Sequence, residues 1–572
     1  QALLLPVFQF VWVILAPLPI GIAIVSLAGA PLVLLARASY EILEAPGPSA
    51  EPQWPLYVER LTKSSDPLER EHLFLGTEPE LDFPILLHKP LLREHCYIVG
   101  DSGSGKTSLG IMPILRQLLP DRPPLVILDL KGDMAMFEMV RQMAEANNQR
   151  FLFFTPERGR ASCFFNPFQS FGSENRTVIQ LCQLFLDALS LNHGEGYGRS
   201  YFSRRARALL FDAMTTGERP PVTFPELYER LKILAASDPV TQKDTFELVS
   251  TIQAMAQYPQ LLTNANVEPD PAHTIHMPTL IENGDIAYFW LPSAIESMTA
   301  REIGKLALFA LLSAAIDRQR ERPGEPLQQT YLVIDEFQRL AGDNFKIVLE
   351  QARSFGIGAI LANQSFADLQ TPAGDLRSTV QTNTRAKMYF SVNDIETAEF
   401  LSKISGDDIA VQRSYGFTSN QSFAPDAFGA TRGHGSTDSF SPTIRPRLSV
   451  SDIRRYSDAP STFLLYVSRG SGYTQFHGHP IPVASEWPVT KQQYDAWSRA
   501  TWPTIEGAVV AAPLSPDTLT DADVERQLAG AHGVVLSTST QDIEIQARQR
   551  AARHRNAMRQ LSQRYNPRRP PS

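Results

Sequence analysis

The hydrophobic residues of the chain form short continuous runs that alternate with longer stretches of helical periodicity. Four runs have the length of strands, at 84–87, 96–99, 125–128 and 331–334. A helical pattern follows Lys106 as far as about Leu119, before Pro120. Continuous apolar strands that alternate with helices are typical of a parallel sheet covered on both faces. We therefore predict an α/β fold with a mostly parallel sheet.

One long segment departs from this alternation. Between about 174 and 276 the apolar residues have helical spacing, and no convincing strand occurs. This pattern predicts an all-α domain inserted into the α/β domain. An apolar strand at 285–293 and a helix at about 299–320 then return to the earlier pattern.

The beginning of the chain has a different composition. Residues 1–36 contain no charged side chain, whereas about 20 apolar residues suffice to span a bilayer. We predict an N-terminal transmembrane anchor, either one long helix or a hairpin of two short helices that bends near Pro17 and Pro19. A cleavable signal peptide is a further alternative, but it would start with basic residues and have a shorter apolar core. Arg37 follows at once, which puts the remaining chain on the cytoplasmic side.

Overall composition adds two constraints. The 572 residues suffice for three to four domains of about 150 residues each. The net charge is −8 with 20% charged residues, so nothing marks the whole chain as a basic nucleic-acid binder. Only three cysteines occur, Cys96, Cys163 and Cys182, without C-x-x-C spacing. Their pattern indicates a reducing compartment and no structural zinc.

The segment GDSGSGKTS at 100–108 follows an apolar strand and begins a helix. It fits the pattern G-x-x-x-x-G-K-[ST], in which backbone N–H groups at a helix start surround phosphates. The predicted nucleotide-binding residues are Gly100, Asp101, Ser102, Gly103, Ser104, Gly105, Lys106, Thr107 and Ser108. Lys106 is also predicted to act in catalysis, with ATP as the nucleotide.

The second half of the site is predicted where the strand at 331–334 runs into Asp335 and Glu336. Asp335 would hold Mg²⁺ through water, together with Thr107, and Glu336 would polarise the attacking water. A third strand runs from Gly356 towards Gln364, whose amide we predict to contact the γ-phosphate or the water. With the phosphate loop, these residues predict ATP hydrolysis that requires Mg²⁺.

These patterns divide the chain into six segments. They are the anchor at 1–37, a polar, Pro-rich linker at 38–70, the nucleotide-binding domain at 71–173 and 277–487, the all-α insertion at 174–276, and a C-terminal extension at 488–572.

The order of these motifs resembles the type IV secretion coupling proteins of the conjugative TraG/TraD-like class, which are related to FtsK- and HerA-type DNA translocases. The resemblance covers most of the chain, up to about residue 485. Its residues are FLGTEP at 74–79, DLKGD at 129–133, FFNPFQ at 164–169, ARSFGIGAILANQS at 352–365, NDIETA at 393–398 and RPRLSVSDIRR at 445–455. One departure is DLKGD, where the family pattern has Pro in place of Leu130 and Glu in place of Asp133.

The resemblance implies a RecA-like P-loop ATPase that forms a homo-hexamer, while the isolated chain could also be a monomer or a dimer. Such rings complete each site with an arginine from the neighbouring subunit, whose charge stabilises the developing charge on the phosphates. Arg353 matches the family position for this arginine finger, and Arg385 is a second candidate.

The resemblance also implies a location and a cargo. It implies the bacterial inner membrane, with the main domain in the cytoplasm beside the inner-membrane components of the secretion system. The protein would recruit relaxase-bound single-stranded DNA or effector proteins and drive their transfer, and the sequence does not choose between these two cargoes. A DNA translocase of the FtsK/HerA type without a secretion channel is the alternative function.

Two further segments leave alternatives open. The Ser- and Gly-rich stretch at 412–443 predicts a flexible surface loop, although Tyr415, Phe417, Phe423 and Phe428 could instead stack on single-stranded bases. The tail after Glu544 carries eight arginines and no acid. It is either a solvated terminus or a site for nucleic acid, anionic lipid or an acidic protein.

Overall fold

The computed structural model describes residues 53–80, 82–157, 159–171, 176–191, 199–261, 271–292, 297–326, 328–371, 374–422, 431–468 and 478–505. The chain divides into two compact units, 1–56 and 57–572. The predicted anchor at 1–37 and the basic tail lie outside the described residues. Within the described ranges, no helix combines the length and the apolar character needed to cross a membrane.

The described strands are β1 His72–Thr77, β2 Pro84–His88, β3 Cys96–Val99, β4 Leu125–Asp129, β5 Phe151–Phe154, β6 Phe164–Phe165, β7 Thr274–Ile275, β8 Ile286–Trp290, β9 Thr330–Asp335, β10 Ile357–Asn363, β11 Gln370–Thr371, β12 Gly374–Asp375, β13 Ala386–Tyr389, β14 Asp407–Ser422, β15 Thr431–Pro446, β16 Thr462–Val467 and β17 Ile481–Ala484.

The described α-helices are α1 Gln53–Lys63, α2 Pro67–Arg70, α3 Met112–Leu118, α4 Met134–Ala146, α5 Pro167–Ser170, α6 Val178–Ala188, α7 Arg199–Thr215, α8 Phe224–Ala235, α9 Pro239–Asp244, α10 Phe246–Met255, α11 Met277–Asn283, α12 Ser297–Glu321, α13 Asp343–Gln351, α14 Arg377–Asn383, α15 Ile395–Ile404, α16 Val450–Asp458 and α17 Lys491–Ser498. A π-helical segment, Lys106–Ile111, leads directly into α3. Short 3₁₀ segments are Lys89–Glu94, Leu119–Asp121, Pro259–Leu261, Pro271–His273, Phe337–Arg339, Ala352–Phe355 and Ala367–Leu369.

An eleven-stranded sheet forms the centre of the described chain, in the order β2-β1-β17-β16-β13-β3-β10-β9-β4-β8-β5. All neighbours from β13 to β5 are parallel. The strands from β13 through β16, β17 and β1 to β2 pair antiparallel. The prediction of an α/β fold with a mostly parallel sheet is therefore confirmed.

Both faces of the parallel strands are buried. In β3, Tyr97 and Val99 contribute to one hydrophobic core, while Cys96 and Ile98 contribute to the core on the other face. All four side chains are at most 5% exposed. This two-sided burial explains why the strand is a continuous apolar run in the sequence instead of an alternating one.

The described part of 174–276 consists of α6 to α10, two 3₁₀ segments and β7. Phe185 of α6 and Phe224 of α8 pack around Phe168, with ring centroids 4.6 and 5.1 Å from its own. Strand β6 pairs with β7 in parallel. The chain thus enters and leaves the helical segment at adjacent positions.

Part of the predicted linker at 38–70 is helical, since α1 and α2 lie within it. Tyr57 of α1 stacks on Phe74, with ring centroids 4.7 Å apart, and Leu61 is buried. These two residues are four positions apart and share one helix face. Burial of that face accounts for the helix. The sequence prediction missed this helix because the Pro-rich composition indicated a linker.

The stretch predicted as a surface loop forms a long hairpin instead. Strands β14 and β15 pair without interruption from Asp407 opposite Pro446 to Ser422 opposite Thr431. Near its base, Ile409 lies opposite Ile444, and both are at least 70% exposed. Backbone hydrogen bonds join the two arms and require no alternation of apolar residues, so the loop prediction is wrong for a physical reason. The side chains considered for base stacking lie outside those that the structure describes.

The first part of the predicted C-terminal extension packs against the α/β domain. Trp497 Nε1 donates to Gln142 Oε1 at 3.0 Å, and Trp502 Nε1 donates to the Ala161 carbonyl oxygen at 2.8 Å. The Trp502 ring also stacks on Phe137, with centroids 4.9 Å apart. The α/β domain therefore continues beyond residue 487 to about residue 505.

His95 is a buried polar residue just before β3. The Ala359 N–H donates to its Nδ1 at 3.0 Å, and its Nε2 lies 3.1 Å from the Leu349 carbonyl oxygen. A neutral ring with its proton on Nε2 satisfies both contacts. Burial, with a smaller contribution from Arg353, lowers the pKa of His95 to about 4, although the hydrogen bond to the Leu349 carbonyl and the charge of Glu94 act in the opposite direction.

We predict that acid weakens the fold through His95. The unfolded chain takes up this proton near pH 6.5, while the folded chain resists it down to about pH 4. The stabilising contribution is therefore complete above pH 6.5 and is lost as the pH falls towards 4. The loss should approach about 3 kcal/mol in the free energy of unfolding, measured by chemical denaturation across this pH range.

The variant His95→Gln is the control because it has no titrating ring. Its stability should depend less on pH in this range than that of the unchanged protein. The same pH dependence in both proteins would contradict the assignment.

Candidate nucleotide-binding site

The phosphate loop lies between β3 and Lys106–Ile111, at the carboxyl end of the parallel strands. Gly105 has a φ of +94°. A Cβ at Gly100 would lie 2.2 Å from the Phe390 carbonyl oxygen at the end of β13. One glycine therefore permits a left-handed backbone, and the other permits the close approach of a neighbouring strand.

Lys106 is buried beneath this loop. Its Nζ donates to the Gly100 carbonyl oxygen at 2.5 Å and to that of Asp101 at 2.9 Å. Burial lowers the pKa of Lys106, although Glu336 and Asp335 nearby raise it. Ser104 Oγ is also buried and has no hydrogen-bond partner among the described residues. A buried cation and an unpaired hydroxyl at a helix start fit a phosphate group.

Two carboxylates meet beside the phosphate loop. Asp335 at the end of β9 pairs in register with Asp129 at the end of β4, and both are fully buried. Thr107 Oγ1 donates to Asp335 Oδ2 at 2.9 Å. Burial, together with the neighbouring Asp129 carboxylate, raises the pKa of Asp335 to about 7, although the Thr107 hydrogen bond acts in the opposite direction.

Thr107 and Asp335 fit the predicted magnesium site. A hydroxyl and a carboxylate are oxygen ligands of the type that Mg²⁺ takes beside phosphates. A divalent cation would also offset the cost of burying the Asp335 charge next to Asp129. The structure thus brings together the two residues that the sequence predicted for the metal.

Asp129 has its own set of hydrogen bonds. The N–H groups of Gly132 and Asp133 donate to its carboxylate at 2.7 and 2.8 Å, and Tyr288 Oη donates at 2.7 Å. These contacts fix the turn DLKGD, from which Lys131 reaches the same cavity as the phosphate loop. Asp129 therefore orders the site without being free to bind a ligand.

Glu336 is held by two amides. Gln364 Nε2 donates to its carboxylate oxygens at 3.0 and 3.2 Å, and Gln338 Nε2 donates to Oε2 at 2.5 Å. The Glu336 backbone has φ 60° and ψ 46°, a left-handed conformation that is uncommon outside glycine. The structure thus joins Glu336 and Gln364 beside Asp335.

A cavity of about 500 Å³ is lined by the loop residues Ser102 to Ser108, together with Asp335 and Glu336. This volume lies within the range of small-molecule sites, about 300–1,000 Å³. Twelve further lining residues were not predicted as site residues, among them Lys131, Asp133, Ser391, Asp458, Trp487 and Tyr494. Lys131 could have been predicted as a site residue, because DLKGD follows a strand that pairs with β9. No local signal marked the two aromatic residues.

The two candidate finger arginines lie elsewhere. Arg353 Nη2 is 3.1 Å from Glu94 Oε1, and the Arg385 guanidinium contacts the other oxygen of the same carboxylate, with Nε donating at 2.8 Å. All three residues precede the parallel strands β10, β13 and β3, at their amino ends. The structure does not bring either arginine to the phosphate loop of its own chain.

Two models of known protein families match the sequence of the chain. The family model described as "Type IV secretory system Conjugative DNA transfer" matches residues 57–266, and the model "TraM recognition site of TraD and TraG" matches 329–458. Together the two ranges include more than half of the chain. The chain belongs to the type IV coupling proteins. The Type 4 coupling protein DotL of Legionella pneumophila is 21% identical to this coupling protein over 488 residues, 72% of this chain and 60% of DotL.

Solved structures agree with the fold. The coupling protein TrwBdeltaN70 in its unbound monoclinic form has a TM-score of 0.50 at 14% identity, covering 75% of this chain and 90% of that one. A TrwB structure in complex with ADP and Mg²⁺ has a TM-score of 0.49. The first likeness supports the fold of this coupling protein, and the sequence matches support its family.

The geometry predicts a specific effect of Glu336→Gln. The amide cannot accept a proton from water, so ATP turnover should fall by at least about 100-fold. ATP binding should persist, because Lys106 and the loop are unchanged. Turnover and equilibrium binding of ATP measure the two effects, and unchanged turnover would exclude Glu336 as the activating base.

A matched pair of variants tests whether Gln364 contacts the γ-phosphate or the water, or whether it only orients the Glu336 carboxylate. Gln338→Ala and Gln364→Ala each remove one amide from the Glu336 carboxylate. We expect the larger loss of turnover in Gln364→Ala, because Gln364 would also contact the γ-phosphate or the water. Equal losses would reduce Gln364 to a positioning residue.

Proposed function

We propose that this protein is the ATPase of a type IV secretion system that recruits a substrate and drives its transfer into the secretion channel. The observation that carries the proposal is the joint placement of Lys106, Thr107, Asp335 and Glu336 at one edge of a coupling-protein fold. The chain spans only 60% of the length of DotL. The activity, cargo and partners of this protein are therefore proposals, which rest on the chemistry of its site residues and on its family.

The residues of the site divide the reaction between them. The phosphate loop and Lys106 bind the ATP phosphates and compensate their negative charge. Mg²⁺ held by Thr107 and Asp335 would supply further positive charge there. Glu336, oriented by its two amides, accepts the proton of the attacking water. Gln364 connects this carboxylate to β10, so a change at the phosphate is passed to a central strand.

An arginine finger must come from a second subunit. Strand β10 has seven residues, which span about 20 Å at about 3.3 Å per residue. Arg353 precedes this strand, whereas Gln364 and the phosphate loop lie at its far end. In a ring, the amino-end edge of one subunit would face the phosphate loop of the next. Arg353 is 57% exposed and Arg385 is 23% exposed, which favours Arg353.

Assembly and location follow from the same proposal. A finger supplied by a neighbour requires a closed homo-oligomer, and we propose a homo-hexamer. The charge-free segment 1–36 would anchor it in the bacterial inner membrane beside the membrane components of the secretion system, with residues 57–505 in the cytoplasm. The cargo is relaxase-bound single-stranded DNA or an effector protein. The family matches do not favour the alternative of a DNA translocase without a secretion channel.

Mixing experiments test the finger. Arg353→Ala should lower ATP turnover by about 1,000-fold or more in the assembled protein. When it is mixed with Glu336→Gln, which also has low turnover, about a quarter of the interfaces in a randomly mixed ring pair an intact site with an intact finger. Turnover should therefore partly return.

Arg385→Ala, mixed in the same way, is the comparison. If activity returns only in mixtures with Arg385→Ala, then Arg385 is the finger. If neither arginine variant loses turnover, the interface proposal fails.

The cargo can be identified by affinity purification with Lys106→Ala, expressed at full length with the secretion genes. This variant should lack turnover and retain docking, because the docking surfaces are not altered. Relaxase with single-stranded DNA would establish conjugative cargo, and secreted proteins would establish effector cargo. The exposed Lys403→Ala is the matched control. Recovery of neither cargo class would contradict the coupling function.

A further inference from the structure

The cavity beside the phosphate loop also has lining residues that the phosphate chemistry does not use. Besides the phosphate loop, Lys106 and Lys131, its lining includes Asp458, Trp487 and Tyr494. Both aromatic residues lie outside the two ranges matched by the family models. Their placement therefore comes from this structure and not from those matches.

Trp487 and Tyr494 form a packed pair. Their ring centroids are 4.9 Å apart with planes at 82°, an edge-to-face contact. Trp487 is nevertheless 42% exposed, an unusual position for a large aromatic ring that lines a cavity. An edge-to-face contact leaves aromatic surface available for a flat ligand.

Hydrogen bonds fix this wall to the phosphate loop. The Ser485 N–H donates to the Ser461 carbonyl oxygen at 2.8 Å, and Ser485 Oγ donates to the Leu109 carbonyl oxygen at 3.4 Å. Thr490 caps α17, which carries Tyr494, by accepting from the Gln493 N–H at 3.2 Å. The aromatic pair is thus held on short, anchored segments, one of them joined directly to the helix that begins at Lys106.

The lining groups indicate which part of a nucleotide each would accept. Lys106 and Lys131 attract phosphates, and a divalent cation on Asp335 would offset the negative charge of the neighbouring carboxylates. Asp458 would repel phosphates, but it can accept hydrogen bonds from hydroxyl or amino groups. A cavity that offers both aromatic rings and a carboxylate acceptor suits the uncharged part of a nucleotide, which is its base and its ribose.

We propose that Trp487, supported by Tyr494, is the stacking platform for the purine base of bound ATP. Base stacking on an aromatic side chain is favourable and needs no specific edge contacts. This proposal rests on the proposed ATPase function and assigns the base-binding part of that site. Trp487 would contribute to nucleotide affinity and take no part in the chemistry at the phosphates.

Comparison of two ligands tests the platform. Trp487→Ala should weaken ATP binding about tenfold. It should leave the affinity for inorganic tripolyphosphate unchanged, because that ligand has the phosphates without the base. Trp487→Phe should retain most of the ATP affinity, since it keeps an aromatic face. Both ligands are measured with Mg²⁺ on the full-length protein by calorimetry.

The matched control is Phe246→Ala, which removes an aromatic ring that is 70% exposed in α10. It should change neither affinity. An independent readout is tryptophan fluorescence, where ATP should quench a component that is absent from Trp487→Phe.

The possible outcomes separate the two proposals. Unchanged ATP affinity in Trp487→Ala would overturn the platform, and so would an equal loss for ATP and tripolyphosphate, which would indicate a structural role. If the unchanged protein binds neither ligand, the ATPase proposal itself fails. A selective loss for ATP alone supports both.

Discussion

The pairing of β4 with β9 places two carboxylates side by side inside the apolar interior, and the site depends on how each is stabilised. Asp129 is satisfied by the N–H groups of the following turn and by Tyr288. Asp335 has the Thr107 hydroxyl and the Glu336 N–H as its hydrogen-bond donors. The first carboxylate therefore shapes the protein, while the second is left to attract a cation. The register of β4 with β9 thus places the turn DLKGD beside the Asp-Glu strand, and the Thr107 hydrogen bond joins the phosphate loop to Asp335.

The parallel strands also separate two chemical functions. Their carboxyl ends carry the phosphate loop and Glu336, and their amino ends carry Arg353 and Arg385 on the shared carboxylate of Glu94. A sheet keeps these edges apart by the length of its strands, so neither arginine reaches the phosphate loop of its own chain. Coupling between neighbouring subunits would then be a consequence of the topology and not an added feature.

The sequence was sufficient to predict the α/β class and the helices within 174–276, because buried strands and amphipathic helices have local signatures. The position of Lys106 after the end of β3 follows the local pattern of a phosphate loop. Thr107 and Asp335 could be paired in advance, since the ends of parallel strands meet at one edge. Trp487 could not be found this way. Its position depends on β17 returning to pair with β1, where Thr77 lies opposite Ala484, far apart in the chain. The hairpin of β14 and β15 was missed because its arms lack an alternating apolar pattern.

The left-handed backbone at Glu336 has a consequence for the evolution of this site. A residue with a Cβ in that conformation costs about 1 kcal/mol relative to glycine, and glycine would relieve the strain. The protein keeps a carboxylate there, buried between Gln338 and Gln364, and accepts a less stable loop. Selection for thermal stability alone would act against this residue, whereas selection for turnover would preserve it. A catalytic role of Glu336 would make this single backbone position a compromise between stability and activity.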